Sequence, residues 1–179
     1  MKEKITKTLL NLMRHQNYSK ISVTTICENV PVSRTAFYHY FDNKDDIVFY
    51  FIEQDFLKNC FPIFKFHIKE RGAQAFFSYL KEHKSFYTKL YHIDNGDFLF
   101  KCLKNAYHTG FDKRQEYTQP VLKKTPINPE VFAEYSCSAL AAVVIYWIKN
   151  DMTIPEEVIA KELYLMMEEP LGIVRDYYL

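Results

Sequence analysis

The chain has 179 residues, 48% of them hydrophobic and 25% charged, with a formal net charge of +1. These are globular proportions, enough for one sizeable core or for two smaller ones sharing a helix, and they exclude a disordered chain. Only four glycines leave little material for tight turns, which disfavours strand-rich folds and points to an all-α protein.

The N-terminus opens MKEKITK and then turns amphipathic, without the apolar core and small-residue cleavage site of a signal peptide, so a cytoplasmic location is expected. Ile5, Leu9, Leu12 and Met13 recur at helical spacing and predict a first helix of about three turns, ending near Asn17. Ser22 stands where an N-cap belongs and opens a short second helix to about Val30. Pro31 stops it, because the residue before a proline is pushed out of the helical region. Ser33 caps a third helix, Arg34 to Tyr40, with Phe37, Tyr40 and Phe41 facing inward. Asn43 caps a fourth, with Asp45 and Asp46 in the first turn, where negative charge suits the helix dipole, and it runs to about Asn59. Beyond that helix aromatic residues dominate, in helical patterns broken near Pro62, Gly72 and Asn95-Gly96. A helix is predicted from Asp97 to about Tyr117. The segment TQPVLKKTPINPE reads as a linker, Pro129 as the first turn of a helix reaching Asn150, and a last helix follows Pro155. Two domains are expected, at 1–46 and 47–179.

Two short helices joined by a tight turn, the second opening Ser-Arg-Thr, form a helix-turn-helix, in which the second helix lies in the DNA major groove. Residues 1–44 hold seven bases against three acids, so the positive end of the chain is the candidate for a polyanion partner. Arg34 offers a fork of donors for guanine or phosphate, Thr35 and Ala36 suit base edges or a thymine methyl, and Tyr38 and His39 suit phosphates. The run ISVTTICENVPVSRTAFYHYFDNKDDIV, Ile21 to Val48, resembles the DNA-binding signature of the TetR family of bacterial transcriptional regulators. Ile26-Cys27, Val32-Ser33, Phe37-Tyr38, Phe41 and Lys44 carry the match. The resemblance implies that Thr24, Thr25, Tyr38 and Lys44 hold the phosphate backbone of a double-stranded operator while Arg34, Thr35, Ala36 and His39 read sequence. The family usually has Gly before Val-Ser, in a left-handed conformation; Pro31 stands there in this chain and must send the turn along another course.

For the rest of the chain the resemblance implies a helical dimerisation and effector domain, and YWIKNDMTIPEEVIAKEL, from Tyr146, resembles the C-terminal region of one subgroup. From Cys137 to Ile148 only Ser138 is polar, which predicts a helix buried on more than one side. The longest apolar run, Ala139 to Ile148, is too short to span a bilayer. Tyr135, Ala139, Ala142, Val143, Tyr146, Ile159 and Leu163 are the expected interface of a two-fold homodimer. Phe64, Phe76, Tyr79, Phe86, Tyr87, Tyr107 and Trp147 line a pocket for a small apolar or aromatic effector or fill a core; the sequence leaves both readings open. Cys27, Cys60, Cys102 and Cys137 form no C-x-x-C pair and read as buried hydrophobes. The histidines lack metal-ligand spacing, and no phosphate loop, H-E-x-x-H or G-x-S-x-G marks an enzyme. The expected function is a ligand-responsive repressor without cofactor or metal. The alternatives are an activator of the same fold, a co-regulator dependent on a partner protein, and an interaction module with an idle DNA head.

Overall fold

Apolar positions at helical spacing fold as helices in the computed structural model, which describes residues 1–61, 70–113 and 127–166. In the head, α1 (Lys2–His15) buries Ile5, Leu9 and Met13, and a 3-10 turn at Tyr18–Lys20 leads to α2 (Val23–Glu28) and α3 (Arg34–Tyr38). The next helix, α4 (Lys44–Asp55), widens into a π-helical turn at Phe56–Cys60. It runs through the expected 46/47 boundary.

The body comprises α5 (Glu70–Glu82), α6 (Lys84–Tyr91), α7 (Asp97–Asp112), α8 (Pro129–Lys149) and α9, residues 156–166. Both α4 and α8 pack on α7, and α8 also packs on α6. The central position of α7 explains its burial: Phe98, Leu99, Cys102, Leu103, Ala106, Tyr107 and Gly110 are all inside. The close approach of α4 to α7 requires Gly110, where a Cβ would stand 2.7 Å from a Phe56 ring atom.

Chain reversals in the body follow from local chemistry. Before α7, Asn95 and Gly96 adopt φ of 58° and 101°, and a Cβ at Gly96 would sit 2.9 Å from the Tyr91 ring. The Asp94 carboxylate accepts from Phe98 N at 3.0 Å, satisfying one of the open N–H groups of the helix start. The start of α8 is fixed by Asn128, whose Oδ1 accepts from Glu130 N at 2.8 Å. After α8, Asp151 and Met152 are left-handed, and the buried Trp147 indole N–H donates to Ile154 O at 2.8 Å.

Gly72 lies within α5 and does not break it. Pro62, the expected linker as far as residue 126 and the end of the helix expected to reach Tyr117 lie outside the described residues.

Candidate nucleic-acid interface

Three side-chain caps set the geometry of the head. Ser22 Oγ accepts from Thr25 N at 3.0 Å, Ser33 Oγ from Ala36 N at 3.1 Å, and Asn43 Oδ1 from Asp45 N and Asp46 N at 2.8 and 3.0 Å. Each pairs backbone donors that a helix start leaves open. The turn between α2 and α3 contains no left-handed residue. It closes instead through Val32 N donating to Val30 O at 2.7 Å, a three-residue turn centred on Pro31. Such an inverse γ-turn needs a central φ near −75°, which the proline ring favours. Asn29 completes it by donating from Nδ2 to Thr25 O at 2.9 Å.

A fully buried Phe37, in one core with Ile26 and Val30, holds α3 down. The helix therefore presents its other side: Arg34, Thr35, Tyr38 and His39 are exposed, Thr24 of α2 is exposed, and Thr25 and Ala36 are half-buried. Tyr38 is 47% exposed, with its ring set edge-on against Phe37. Thr25 also shares a hydroxyl hydrogen bond with Ser22 at 2.9 Å. No acid lies within α3, so the exposed face combines one guanidinium with neutral donors and acceptors.

Lys44 is placed differently from the solvent-facing residues. Its ammonium donates to Tyr18 O at 2.7 Å and Ile21 O at 2.9 Å and lies 4.2 Å from the centre of the Tyr18 ring. Burial lowers its pKa, and the neighbouring Asp45 opposes that shift. Lys44 thus ties the loop before α2 to the start of α4. Tyr18 carries no sequence signal of its own, because its partners lie 26 or more positions away. Its hydroxyl donates to Asp45, and burial followed by that hydrogen bond holds the phenol far above its ordinary pKa. Its ring stacks on Phe98 with centroids 5.9 Å apart, and Phe49 meets Phe98 edge-on at 5.6 Å. Head and body therefore share an aromatic joint at the start of α7.

Of the seven residues expected around a pocket, Tyr79, Phe86 and Tyr87 line one cleft between α1, α5 and α6. Phe64 lies outside the described residues. Phe76, Tyr87, Tyr107 and Trp147 are packed in the core, while Tyr79 and Phe86 are half-buried. The Tyr107 hydroxyl has no hydrogen-bond partner among the described residues. Burial raises the thiol pKa of Cys60 and Cys137 to about 12 and that of Cys102 further. Among the described residues no group of His, Cys, Asp and Glu is arranged to hold a metal ion.

The expectation that α8 is covered on more than one side is not met within this chain. Ala133, Cys137, Ala141, Val144, Trp147 and Ile148 are buried, whereas Tyr135 and Tyr146 are 64% and 57% exposed. Ala142 is exposed and Ala139 and Val143 are half-buried on the same helix. Ile159 and Leu163, expected at the interface, are turned into the chain's own core. The exposed apolar residues of α9 are Val158, Leu165 and Met166, which are not among the residues expected at the interface. By length and composition α8 is the one described helix able to cross a membrane, yet one side of it is core, packed on α6 and α7.

Comparison with known proteins agrees with this geometry. Residues 5–51 match the family model described as bacterial regulatory proteins, tetR family, and residues 70–169 match one described as transcriptional regulator C-terminal region. The chain is similar to the HTH-type dhaKLM operon transcriptional activator DhaS of Lactococcus lactis subsp. lactis (strain IL1403), with 26% identity over 144 residues, 78% of this chain and 74% of that protein. It is also similar to YxbF of Bacillus subtilis (strain 168), an uncharacterized HTH-type transcriptional regulator, with 22% identity over 175 residues. That alignment takes in 92% of this chain but 44% of the Bacillus protein, so the chain spans less than half of that relative's length. The solved structure of the dihydroxyacetone kinase operon activator DhaS has the same fold, with a TM-score of 0.58, 20% identity and 96% of each chain covered.

Proposed function

Because this chain belongs to the tetR family of bacterial regulatory proteins, which are DNA-binding transcriptional regulators and not enzymes, we propose that it acts as a two-fold dimer that places α3 in successive major grooves of a palindromic operator. The observation that carries this reading is the capped α3, held on Phe37 with Arg34, Thr35, Tyr38 and His39 exposed. In this proposal Arg34, Thr35, Ala36 and His39 read bases, and Thr24, Thr25 and Tyr38 hold phosphates. Lys44, with two N–H groups bonded to carbonyls, acts mainly by fixing the loop before α2, and offers its remaining N–H to a phosphate.

The dimer forms through the exposed side of α8, with Tyr135, Ala139, Ala142, Val143 and Tyr146, joined by Val158, Leu165 and Met166 of α9. An apolar strip of this kind, rimmed by polar residues, is the ordinary mark of a protein contact. The protein works in the cytoplasm, needs no cofactor, and changes its hold on DNA when a small apolar or aromatic effector binds. Repression by occluding a promoter is the first reading. Activation is the second, favoured by the Lactococcus relative, which is named an activator.

The test is a gel shift with the DNA flanking the protein's own gene, with Arg34→Ala alongside and salt varied. A discrete shift is expected for the wild type, weakening steeply as salt rises, with roughly 1–3 kcal/mol lost in the variant. A folded dimer that shows neither specific nor salt-dependent binding would remove the DNA-binding reading.

A further inference from the structure

A cleft of about 320 Å³ opens where the head meets the body. Leu10, Met13 and Arg14 of α1 form one wall, and Tyr79, Phe86 and Tyr87 of α5 and α6 form the other. Phe51 and Asp55 of α4 also line it, at the point where that helix passes into its π-helical turn. Single π-turns within α-helices occur frequently at functional sites. The volume is of the size that accepts small molecules.

The chemistry of the lining selects among ligands. Phe51 and Phe86 meet edge-on with centroids 5.2 Å apart, and the Tyr79 ring lies 4.4 Å from His83, so the walls offer aromatic edges and faces. The charged groups are balanced, Arg14 and Lys89 against Asp55 and Glu82. Two of the four are already engaged. Asp55 accepts from the Tyr79 hydroxyl at 2.6 and 2.7 Å and from Asn59 at 2.9 Å. Lys89 donates to Met13 O at 3.2 Å and Arg14 O at 3.3 Å. A charged ligand would therefore meet little net attraction, whereas an uncharged ring system would exchange water contact for aromatic contact.

We propose that this cleft binds a small uncharged aromatic molecule of one or two rings, which bridges α1 to α5 and α6 and thereby sets the orientation of the DNA-binding head. The proposal rests on the regulator reading above and gives its effector a place and a class. The effector site lies at the joint, where the ligand touches the head itself, and away from Phe76, Tyr107 and Trp147 in the body core. Lys89 already fastens α6 to the C-terminal end of α1 beside the cleft, so a ligand seated there adds to an existing link. Thermodynamic linkage then requires ligand and DNA to alter each other's affinity by the same factor.

The experiment uses the full-length protein and 2-naphthol as the probe, with binding followed by calorimetry in the absence of DNA. Ser85→Trp serves as the blocking variant, because Ser85 is exposed on the cleft lining and a bulky ring there fills the space without entering the core. Saturable binding of one probe per chain is expected, weakened tenfold or more in Ser85→Trp while its melting curve stays unchanged. Operator affinity should move by about fivefold or more with the probe bound, and should not respond to the probe in the variant. Absence of saturable binding, or equal binding by the variant, overturns the site. Binding that leaves operator affinity unmoved overturns the coupling. Loss of DNA binding in every condition would instead count against the regulator reading, since calorimetry reports the cleft on its own.

Discussion

In the head, α2, α3 and α4 each start directly after a cap, Ser22, Ser33 and Asn43, which accepts from a backbone N–H two or three residues on. In the body, by contrast, α7 starts at a local cap, Asp94, but owes its place to neighbours far along the chain, with Phe56 of the π-helical turn meeting Tyr107 and Tyr18 meeting Phe98. A region held by local chemistry carries its geometry in short words of sequence, so it keeps a fixed shape for one rigid target. A region held by distant packing is specified only when all its pieces meet.

The largest test of this contrast is Trp147→Ala. The indole is fully buried and bonded to Ile154 O, so its loss should cost about 3–5 kcal/mol. Chemical unfolding should show that loss, and sedimentation should show a weakened dimer. Gly96→Ala should come next, at roughly 1–3 kcal/mol, because a left-handed φ and the Tyr91 ring both oppose a methyl there. Ser33→Ala is expected to cost about 1 kcal/mol, with operator affinity falling while the sedimentation mass stays that of the wild type. If Ser33→Ala disturbed the dimer as much as Trp147→Ala, the division between head and body would be wrong.

Tyr107→Phe should have the smallest effect and the opposite sign. It removes a buried hydroxyl that has no partner among the described residues and should stabilise by up to about 1 kcal/mol. Burial, with Cys60 and Cys137 adding to it, raises the phenol's pKa well above its ordinary value. Above about pH 10 the unfolded chain ionises Tyr107 while the folded chain keeps it protonated, so stability falls as pH rises. Melting temperatures between pH 9 and 11 should fall less steeply in Tyr107→Phe than in the wild type.

Legibility in the sequence follows the same division. The caps Ser22, Ser33 and Asn43, and Pro129 in the first turn of α8, are short-range signals, and each stands where its helix begins. Pro31 can be read as ruling out a left-handed turn, although the closing bond from Val32 to Val30 cannot. The engagement of Lys44 by Tyr18 O and Ile21 O spans more than twenty positions and leaves no periodic trace. The apolar character of α9 is plain, but which of its sides faces the core depends on how it rotates against α8. That is why Ile159 and Leu163 are expected at the interface yet lie in the core, while Val158, Leu165 and Met166 stand outside. Aromatic richness announces neither a pocket nor a core, because either use satisfies the same residues. The cleft at the joint needs α1 and α6 to be set side by side before it exists at all.

The widened turn at Phe56–Cys60 bears on how one helix serves both head and body. Residues four apart on a regular α-helix drift around the axis by about 40° each time, so a stripe at Val48, Ile52, Phe56 and Cys60 would wander away from a straight neighbour. All four are buried. A π-turn advances less per residue and offsets part of that drift at Cys60. Deleting one residue from this turn would restore an ordinary helix and rotate everything beyond it, like a gear advanced by one tooth. The extra residue thus acts as a phase correction, which helps a single rod keep its buried side toward α7.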